Sequence, residues 1–325
     1  MRAWRVARLG RPEEVIQLEE HGLPEPGPGE IKLSVQAAGV GLPDVLMCRG
    51  KYAYKPELPF TPGQEIAGTV ISVGEGVSCV PGQRMMGTTA FYRGQGGFAE
   101  ECMSAEGMLF PTPDEMPDLD AAGFVIPWHT AWIGLVNRGR IKAGNVLVVL
   151  GAAGGSGSTA VMLGKALGAR VIAVAGGAEK AELCREFGAD EVIDYQSSDV
   201  SESVMKFTDG QGADLVYDPV GGELGSQMIN CLANEGCLLA IGFASGGWAT
   251  ADTASLVGKN ISIAGVYVGA YGSEQRRHIH GELLNLYREG KIAPLLDRVV
   301  QFEDLPTALA DLGARRVRGK LILQV

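Results

Sequence analysis

The sequence lacks the closely spaced cysteines of a structural metal site. Its six cysteines are scattered along 325 residues, at Cys48, Cys79, Cys102, Cys184, Cys231 and Cys237. Thiolates that share one metal ion usually stand only a few residues apart, so this spacing argues against a shared site. We interpret the six as buried thiols in a reducing compartment. A chain of this length can bury a large enough core to fold without disulfides or metal ions.

Basic charge and long apolar runs are also scarce. The chain carries 38 acidic and 28 basic residues, for a formal net charge of -10. This balance argues against a nucleic-acid surface or an anionic membrane as partner. No uninterrupted apolar stretch near the amino terminus resembles a signal peptide or a membrane span. We therefore expect a cytoplasmic protein whose partners are small molecules.

Glycine and proline turns divide the first 120 residues into short segments. Turns such as 24–29 and 94–97 separate alternating apolar runs, including residues 31–37 and 66–73. Alternation of this kind is typical of strands in an antiparallel barrel. The first half of the chain is therefore predicted to be mostly β.

From Asn145 onward, apolar runs alternate with segments of helical periodicity. The predicted strands are 146–150, 170–175, 191–194, 214–218, 237–242 and 261–266, and helices are predicted at 155–167, 178–187 and 223–232. Strands that alternate with helices indicate a parallel sheet with crossover helices, so this part is predicted to be a doubly wound α/β domain.

The last part of the chain returns to a mixed pattern. A helix at 273–289 precedes a strand at 298–302, a helix at 305–312 and a strand at 320–325. Because this tail is too short to fold alone, we expect it to rejoin the first half. The predicted domains are a β-rich domain, 1–122, completed by 291–325, and an α/β domain, 123–290.

A glycine-rich turn follows the first predicted α/β strand. It consists of Gly151, Ala152, Ala153, Gly154, Gly155, Ser156 and Gly157, and a helical segment continues from it. Glycines allow a sharp turn and let backbone amides at a helix amino terminus approach a pyrophosphate. With the flanking strand and helix, the turn predicts dinucleotide binding; the alternative is a tight packing turn.

The end of the second α/β strand indicates which dinucleotide binds. NAD sites usually place an acidic residue there, on the ribose 2′-hydroxyl, whereas this chain has Gly176 in the sequence Ala175-Gly176-Gly177. Lys180 follows closely and could contact a 2′-phosphate. We therefore predict NADPH; the alternative makes Lys180 a surface residue paired with Glu179 or Glu182.

Several motifs together resemble one known family. They are Gly50-Lys51-Tyr52, Pro59-Phe60-Thr61-Pro62-Gly63, the glycine turn, residues 188–195 and Gly319-Lys320. The chain resembles the zinc-independent quinone oxidoreductase (zeta-crystallin-like) branch of the medium-chain dehydrogenase/reductase superfamily, nearly end to end. The resemblance implies a GroES-like β-barrel catalytic domain and a Rossmann domain that binds NADPH.

The resemblance also bears on zinc. Zinc members carry a Gly-His-Glu segment and a distant cysteine, where this chain has Gly63-Gln64-Glu65 and Ala38. An amide and a methyl group are poor ligands for zinc, and the family's lobe of four cysteines is missing. We therefore expect no metal. Hydride transfer to a conjugated acceptor remains feasible, because its developing oxyanion needs only hydrogen-bond donors.

Two residues carry the expected acceptor site. Tyr52 matches the family's active-site tyrosine and is the candidate catalytic donor, the alternative being a tyrosine packed in a surface loop. Gly41, which we group with the cofactor site, stands where the family commonly has asparagine. Because Gly41 has no side chain, there are three alternatives: the pocket is wider, the substrate differs, or a water takes the place of the asparagine amide. Asp44 is interpreted as a loop anchor.

Further contacts are implied by the resemblance at matching positions. Thr130 matches a threonine near the nicotinamide, and Tyr195 a residue beside the 2′-phosphate. Arg315 matches an arginine that reaches the cofactor, with Arg316 and Arg318 as competitors. The remaining cofactor candidates end later strands: Gly242, Phe243, Ala244, Val266 and Tyr267. Ser156 replaces the usual valine and either adds a phosphate contact or is simply tolerated.

The four histidines show no metal-like clustering. His278 and His280 are interpreted as part of a solvated helix start, and no catalytic role is assigned to them. His129 lies nearest to the expected cleft.

These features predict an NADPH-dependent oxidoreductase that transfers a hydride to a quinone or another electron-poor conjugated carbonyl. The alternatives are a reductase of enoyl thioesters, such as acryloyl or crotonyl coenzyme A, and a non-catalytic NADPH-binding protein. Residues 260–266 suit a strand at a sheet edge, and because relatives commonly pair such edges, we expect a homodimer.

Overall fold

Short strands between glycine and proline turns form the first part of the chain. The computed structural model describes residues 1–325. The first seven strands are β1 (Arg2–Val6), β2 (Ile16–Glu20), β3 (Glu30–Val40), β4 (Glu65–Val73), β5 (Arg84–Thr88), β6 (Glu101–Ala105) and β7 (Leu109–Pro111). Three short helices accompany them: α1 (Pro12–Val15), α2 (Leu42–Cys48) and α3 (Asp118–Ala121).

The middle of the chain alternates strands and helices. Helix α4 (Val125–Trp132) continues as a π-helix over Ile133–Arg138. The strands are β8 (Val146–Leu150), β9 (Arg170–Ala175), β10 (Glu191–Asp194), β11 (Ala213–Asp218), β12 (Leu232–Ala240) and β13 (Ser262–Gly265). The helices are α5 (Gly155–Ala166), α6 (Ala178–Glu186), α7 (Val200–Phe207), α8 (Gly222–Asn230), α9 (Thr253–Val257) and α10 (Ser273–Arg288).

The tail consists of β14 (Leu296–Gln301), α11 (Leu305–Gly313) and β15 (Lys320–Gln324). Strand β15 pairs antiparallel with β3, with Leu323 opposite Ala38, and the resulting sheet has the order β14-β15-β3-β4-β5-β7, with β6 also paired to β3. Burial alternates along the first part of β3, as expected for a strand with one face on a core.

The chain divides into two compact units. Unit 1 comprises Met1–Ile126 and Leu296–Val325, and unit 2 comprises Pro127–Leu295. Both divisions fall a few residues beyond the boundaries that we predicted after residues 122 and 290.

Unit 2 contains the predicted doubly wound sheet. Its six parallel strands follow the order β10-β9-β8-β11-β12-β13. Residues 147–150 of β8 are fully buried, because helices cover both faces of such a sheet. The strand order reverses between β8 and β11, and the carboxyl ends of the strands at such a reversal are where these folds bind ligands. The predicted fold class is confirmed.

Candidate functional site

The glycine turn joins β8 to α5 with almost no space for side chains. Gly151 has a positive φ of 60°, and its carbonyl accepts the Gly154 amide at 3.0 Å. A Cβ on Gly157 would lie 2.3 Å from the Gly151 carbonyl oxygen, so only glycine fits there. The first amides of a helix have no acceptor within the helix, and they make its amino terminus a site for anions.

The Ser156 side chain has a partner that neither of our two interpretations included. Its hydroxyl lies 2.9 Å from the hydroxyl of Tyr217, which is fully buried in β11. Burial raises the pKa of Tyr217, so the phenol remains protonated and needs a hydrogen-bond partner. Ser156 therefore ties the glycine turn to the neighbouring strand.

The end of β9 brings Gly176 and Tyr195 together. A Cβ on Gly176 would lie 2.5 Å from the Tyr195 hydroxyl oxygen, so the tyrosine occupies the space beside the glycine. The amide of Gly177 donates to Asp194 Oδ1 at 2.8 Å, which holds this carboxylate against the loop. No acidic side chain occurs at Gly176 itself.

Lys180 lies in the first turn of α6 and is partly buried. The alternative partner Glu182 pairs instead with Arg185, at 2.7 Å. Lys180 lies close in sequence to the Gly176 loop. Its contact with a 2′-phosphate stays a prediction.

The other cofactor candidates of unit 2 lie at strand ends or on α4. The Ala244 amide donates to the carbonyl of Pro219 at 3.1 Å, and the Val266 amide donates to the carbonyl of Ala240 at 3.1 Å. The remaining candidates are Thr130, Gly242, Phe243 and Tyr267. Thr130 is partly buried on α4, and Tyr267 is exposed. The Phe243 ring lies 4.9 Å from that of Trp248.

Arg315 lies in unit 1, just before β15. It has a positive φ of 61°, while its two competitors are held by aspartates. Arg316 pairs with Asp311 at 2.7 Å, and Arg318 pairs with Asp297 at 3.6 Å.

Asp44 anchors two loops in unit 1. Its Oδ2 accepts the Gly41 amide at 2.9 Å and its Oδ1 accepts the Gly63 amide at 3.1 Å. Burial raises the pKa of Asp44 to about 6, against the opposing effect of these amides and of Lys320. The Gly41 backbone therefore begins α2 and is held by a carboxylate.

Tyr52 and Gln64 are joined in the same unit. Tyr52 is half-buried, and its hydroxyl shares a hydrogen bond with the Gln64 side chain. Burial raises the Tyr52 pKa, which keeps the hydroxyl protonated as a donor at neutral pH. Gln64 Nε2 also contacts Met47 Sδ, at 3.4 Å.

A buried ion pair lies beside these residues, and our sequence analysis assigned it no role. Lys320 Nζ is 3.2 Å from Glu65 Oε2, and Glu65 Oε1 accepts the Ile126 amide at 2.8 Å. The lysine stem passes Gly39, where a Cβ would lie 2.8 Å from Lys320 Cε. Gly319-Lys320 had marked the family resemblance, but the partner of the lysine was not visible in the sequence.

The interpretation of His280 as solvated was wrong. His280 Nδ1 lies 3.1 Å from His129 Nε2, and both rings are buried. Burial lowers the pKa of His129, and it lowers the pKa of His280 to about 4. Helix α10 directs Ile279, His280 and Leu283 inward, so the adjacent arginines misled the prediction.

Two family models match the chain, one in each unit. The family described as "Alcohol dehydrogenase GroES-like domain" matches residues 27–114, and that described as "Zinc-binding dehydrogenase" matches residues 155–284. The chain is 32% identical to quinone oxidoreductase-like protein 2 homolog of Nematostella vectensis, over 97% of this chain and 86% of that protein. The chain belongs to the quinone oxidoreductase branch of the medium-chain dehydrogenase/reductase superfamily. The predicted membership is confirmed, and with it the assignment as an oxidoreductase.

Two solved structures have the same overall fold as this oxidoreductase. Mycobacterial Rv1454c, complexed with NADPH, has a TM-score of 0.93 at 29% identity, with both chains covered in full. The quinone oxidoreductase of Pseudomonas syringae has a TM-score of 0.91 at 28% identity, covering 100% of this chain and 99% of that one. No helix of the oxidoreductase is both long and apolar enough to cross a membrane.

The residues of this oxidoreductase do not fit the zinc ion that one family description names. Gln64 and Ala38 stand at the positions of the two expected ligands, and the Gln64 amide is engaged with Tyr52 and Met47. No group of three or more His, Cys, Asp or Glu side chains within residues 1–325 is arranged to hold a metal ion. All six cysteines are buried free thiols, as predicted.

Proposed function

We propose that this oxidoreductase uses NADPH to reduce a quinone or another electron-poor conjugated carbonyl, without zinc. The observation that carries the proposal is the end of β9, where Gly176 replaces the usual carboxylate and Tyr195 lies beside it. The NADPH bound by the mycobacterial structure supports the choice of cofactor. The names of the quinone oxidoreductase relatives support the choice of acceptor.

The proposed cofactor site combines an amide-lined turn with a space for the 2′-phosphate. The backbone of the turn, residues 151–157, binds the pyrophosphate at the amino terminus of α5. Lys180 and Tyr195 contact the 2′-phosphate, since a cation suits a phosphate and no acidic side chain stands at Gly176. The nearby Asp194 carboxylate is occupied by the Gly177 amide, at 2.8 Å. The further contacts are assigned to Gly41, Thr130, Gly242, Phe243, Ala244, Val266, Tyr267 and Arg315. When bound, NADPH supplies the hydride.

The proposed acceptor site depends on Tyr52. Its hydroxyl, positioned by Gln64, donates a hydrogen bond to the carbonyl oxygen of the acceptor and stabilises the charge that develops there. A quinone takes up the hydride and one proton from solvent, which gives hydroquinone and NADP⁺. Because Gln64 and Ala38 are not zinc ligands, hydrogen-bond donors replace Lewis-acid activation.

The experiment compares cofactor preference in Lys180→Gln and Lys165→Gln. We expect the wild-type protein to oxidise NADPH with naphthoquinone, and Lys180→Gln to lower kcat/KM for NADPH about tenfold relative to NADH, the effect of one lost charged contact. Lys165 pairs with Asp190 at 2.7 Å and serves as the matched control.

Two other outcomes would replace the proposal. Turnover confined to crotonyl coenzyme A would assign the protein to the enoyl thioester reductases. NADPH binding without turnover of quinones, enones or thioesters would identify a non-catalytic binding protein.

A homodimer is also proposed. Strand β13 pairs with β12 and forms the edge of the unit 2 sheet, where Ile263 is 40% exposed. An exposed apolar edge strand favours pairing with a second copy. Light scattering should give twice the chain mass, and Ile263→Lys should give a monomer; a monomeric wild-type protein would refute the proposal.

A further inference from the structure

Four aromatic rings form a continuous cluster around the candidate donor in unit 1. The Tyr52 and Tyr54 ring centroids are 6.1 Å apart. Tyr54 lies 5.6 Å from Phe91, edge to face, and 6.4 Å from Tyr92. Phe91 and Tyr92 are 5.9 Å apart at 86°. We call Tyr52, Tyr54, Phe91 and Tyr92 the aromatic cluster; its members come from two separate loops.

Exposure within the aromatic cluster is graded. Phe91 is 8% exposed and forms its base, while Tyr54 and Tyr92 are 38% and 37% exposed. Edge-to-face packing on Phe91 already restricts the Tyr54 ring. A ligand that binds to this ring therefore causes little further loss of side-chain conformational entropy. The cluster therefore presents two partly exposed phenol rings next to the half-buried Tyr52.

We propose that Tyr54 and Tyr92 form a stacking surface that selects planar, ring-fused acceptors over linear enones. This inference rests on the proposed function and specifies its substrate class. Phenol rings are electron-rich and a quinone ring is electron-poor, so their faces attract in an offset-stacked arrangement. A linear enone has a much smaller conjugated face and gains less from these rings. Tyr52 supplies the hydrogen bond to either acceptor.

The geometry favours an aromatic ligand over a purely apolar one. A purely aliphatic ligand would bind equally well to a surface of leucine or valine side chains. Three of the four rings in the aromatic cluster carry a hydroxyl instead. The polar edges of the tyrosines tolerate the carbonyl oxygens of a quinone beside an otherwise apolar surface.

The test compares two substitutions at Tyr54. Tyr54→Leu removes the ring and keeps an apolar side chain, while Tyr54→Phe keeps the ring. We expect Tyr54→Leu to lower the ratio of kcat/KM for naphthoquinone to kcat/KM for butenone about fivefold, the usual worth of one aromatic contact. Tyr54→Phe should retain the ratio. Val80→Ala, at a position 60% exposed and outside the cluster, controls for a general effect on unit 1.

An equal loss for both acceptors in Tyr54→Leu would show that Tyr54 only positions Tyr52, and would overturn the inference. Unchanged kcat/KM values for both acceptors would overturn it as well. If no acceptor is reduced by the wild-type protein, the proposed function fails, and equilibrium dialysis of naphthoquinone without NADPH tests the stacking surface alone. There Tyr54→Leu should raise the Kd about fivefold and Tyr54→Phe should not; no binding by the wild-type protein, or equal Kd values, would overturn the inference.

Discussion

The hydrogen bond between Ser156 and Tyr217 gives a prediction that separates a structural role from a phosphate contact. Tyr217 is fully buried, and its hydroxyl lies 2.9 Å from that of Ser156. In Ser156→Ala the phenol stays buried and loses this partner, which should cost about 1–3 kcal/mol of unfolding free energy. In Tyr217→Phe the partly exposed Ser156 can bond to water, so the cost should be about 1 kcal/mol or less.

The double variant decides between the two roles. Once Tyr217→Phe has removed the phenol, adding Ser156→Ala should cost almost nothing, because no buried group is left unsatisfied. Urea unfolding, followed by circular dichroism on the four proteins, measures the difference. Equal costs of Ser156→Ala in the two backgrounds would refute the reasoning. A similar loss of NADPH affinity in both backgrounds would instead assign Ser156 to the phosphate.

Two further predictions concern the histidine pair and the glycine turn. A neutral His280 with a pKa of about 4, against 6.5 when unfolded, should by itself remove about 2 kcal/mol of stability between pH 7 and pH 5, since acid protonates the unfolded state first. His129, whose pKa burial also lowers, should add to this loss. Urea unfolding should show this loss largely abolished in the double variant His129→Asn/His280→Asn and retained in the exposed control His278→Asn. An equal change of unfolding free energy with pH in both variants would contradict the prediction. Gly157→Ala should weaken NADPH binding at least about tenfold by calorimetry, because the added Cβ meets a backbone oxygen at 2.3 Å; unchanged affinity would contradict the proposed turn.

Much of unit 2 could be predicted from the sequence. Strands β8, β9 and β10 begin and end at the predicted residues. Strands β8 and β9 were predictable because strands buried on both faces form unbroken apolar runs. Helix α7 and the π-helix over Ile133–Arg138 were not predicted. Helix α7 does carry a start signal that we did not use, because Asp199 caps it and accepts the Glu202 amide at 2.8 Å. Strand β12 begins five residues before its predicted apolar run, where Asn234 and Glu235 interrupt the pattern.

The candidate site was predictable where a short motif carries it. The glycine turn, Gly176 and the Tyr52 segment can each be found from neighbouring residues. The pairs that complete the site join distant positions: Ser156 with Tyr217, Glu65 with Lys320, and His129 with His280. No spacing rule links such residues, because tertiary packing alone brings them together. Gln64 was recognised as a poor zinc ligand, but its bond to Tyr52 required the structure.

Gly41 stands where the family commonly has asparagine, just before α2. Its amide is held by Asp44, and a Cβ there would lie 3.3 Å from Pro43 and 3.5 Å from Asp44 Oδ2. A larger side chain would therefore have to turn away from this carboxylate. The missing asparagine leaves Tyr52 as the main hydrogen-bond donor that we propose for the acceptor.

The central claim is tested most directly by steady-state reduction of naphthoquinone with NADPH and with NADH, after dialysis against a chelator. We predict turnover with kcat/KM for NADPH at least about tenfold above that for NADH, the worth of a 2′-phosphate contact, and no loss of activity on chelation. A preference for NADH, or activity that chelation removes and zinc restores, would contradict it.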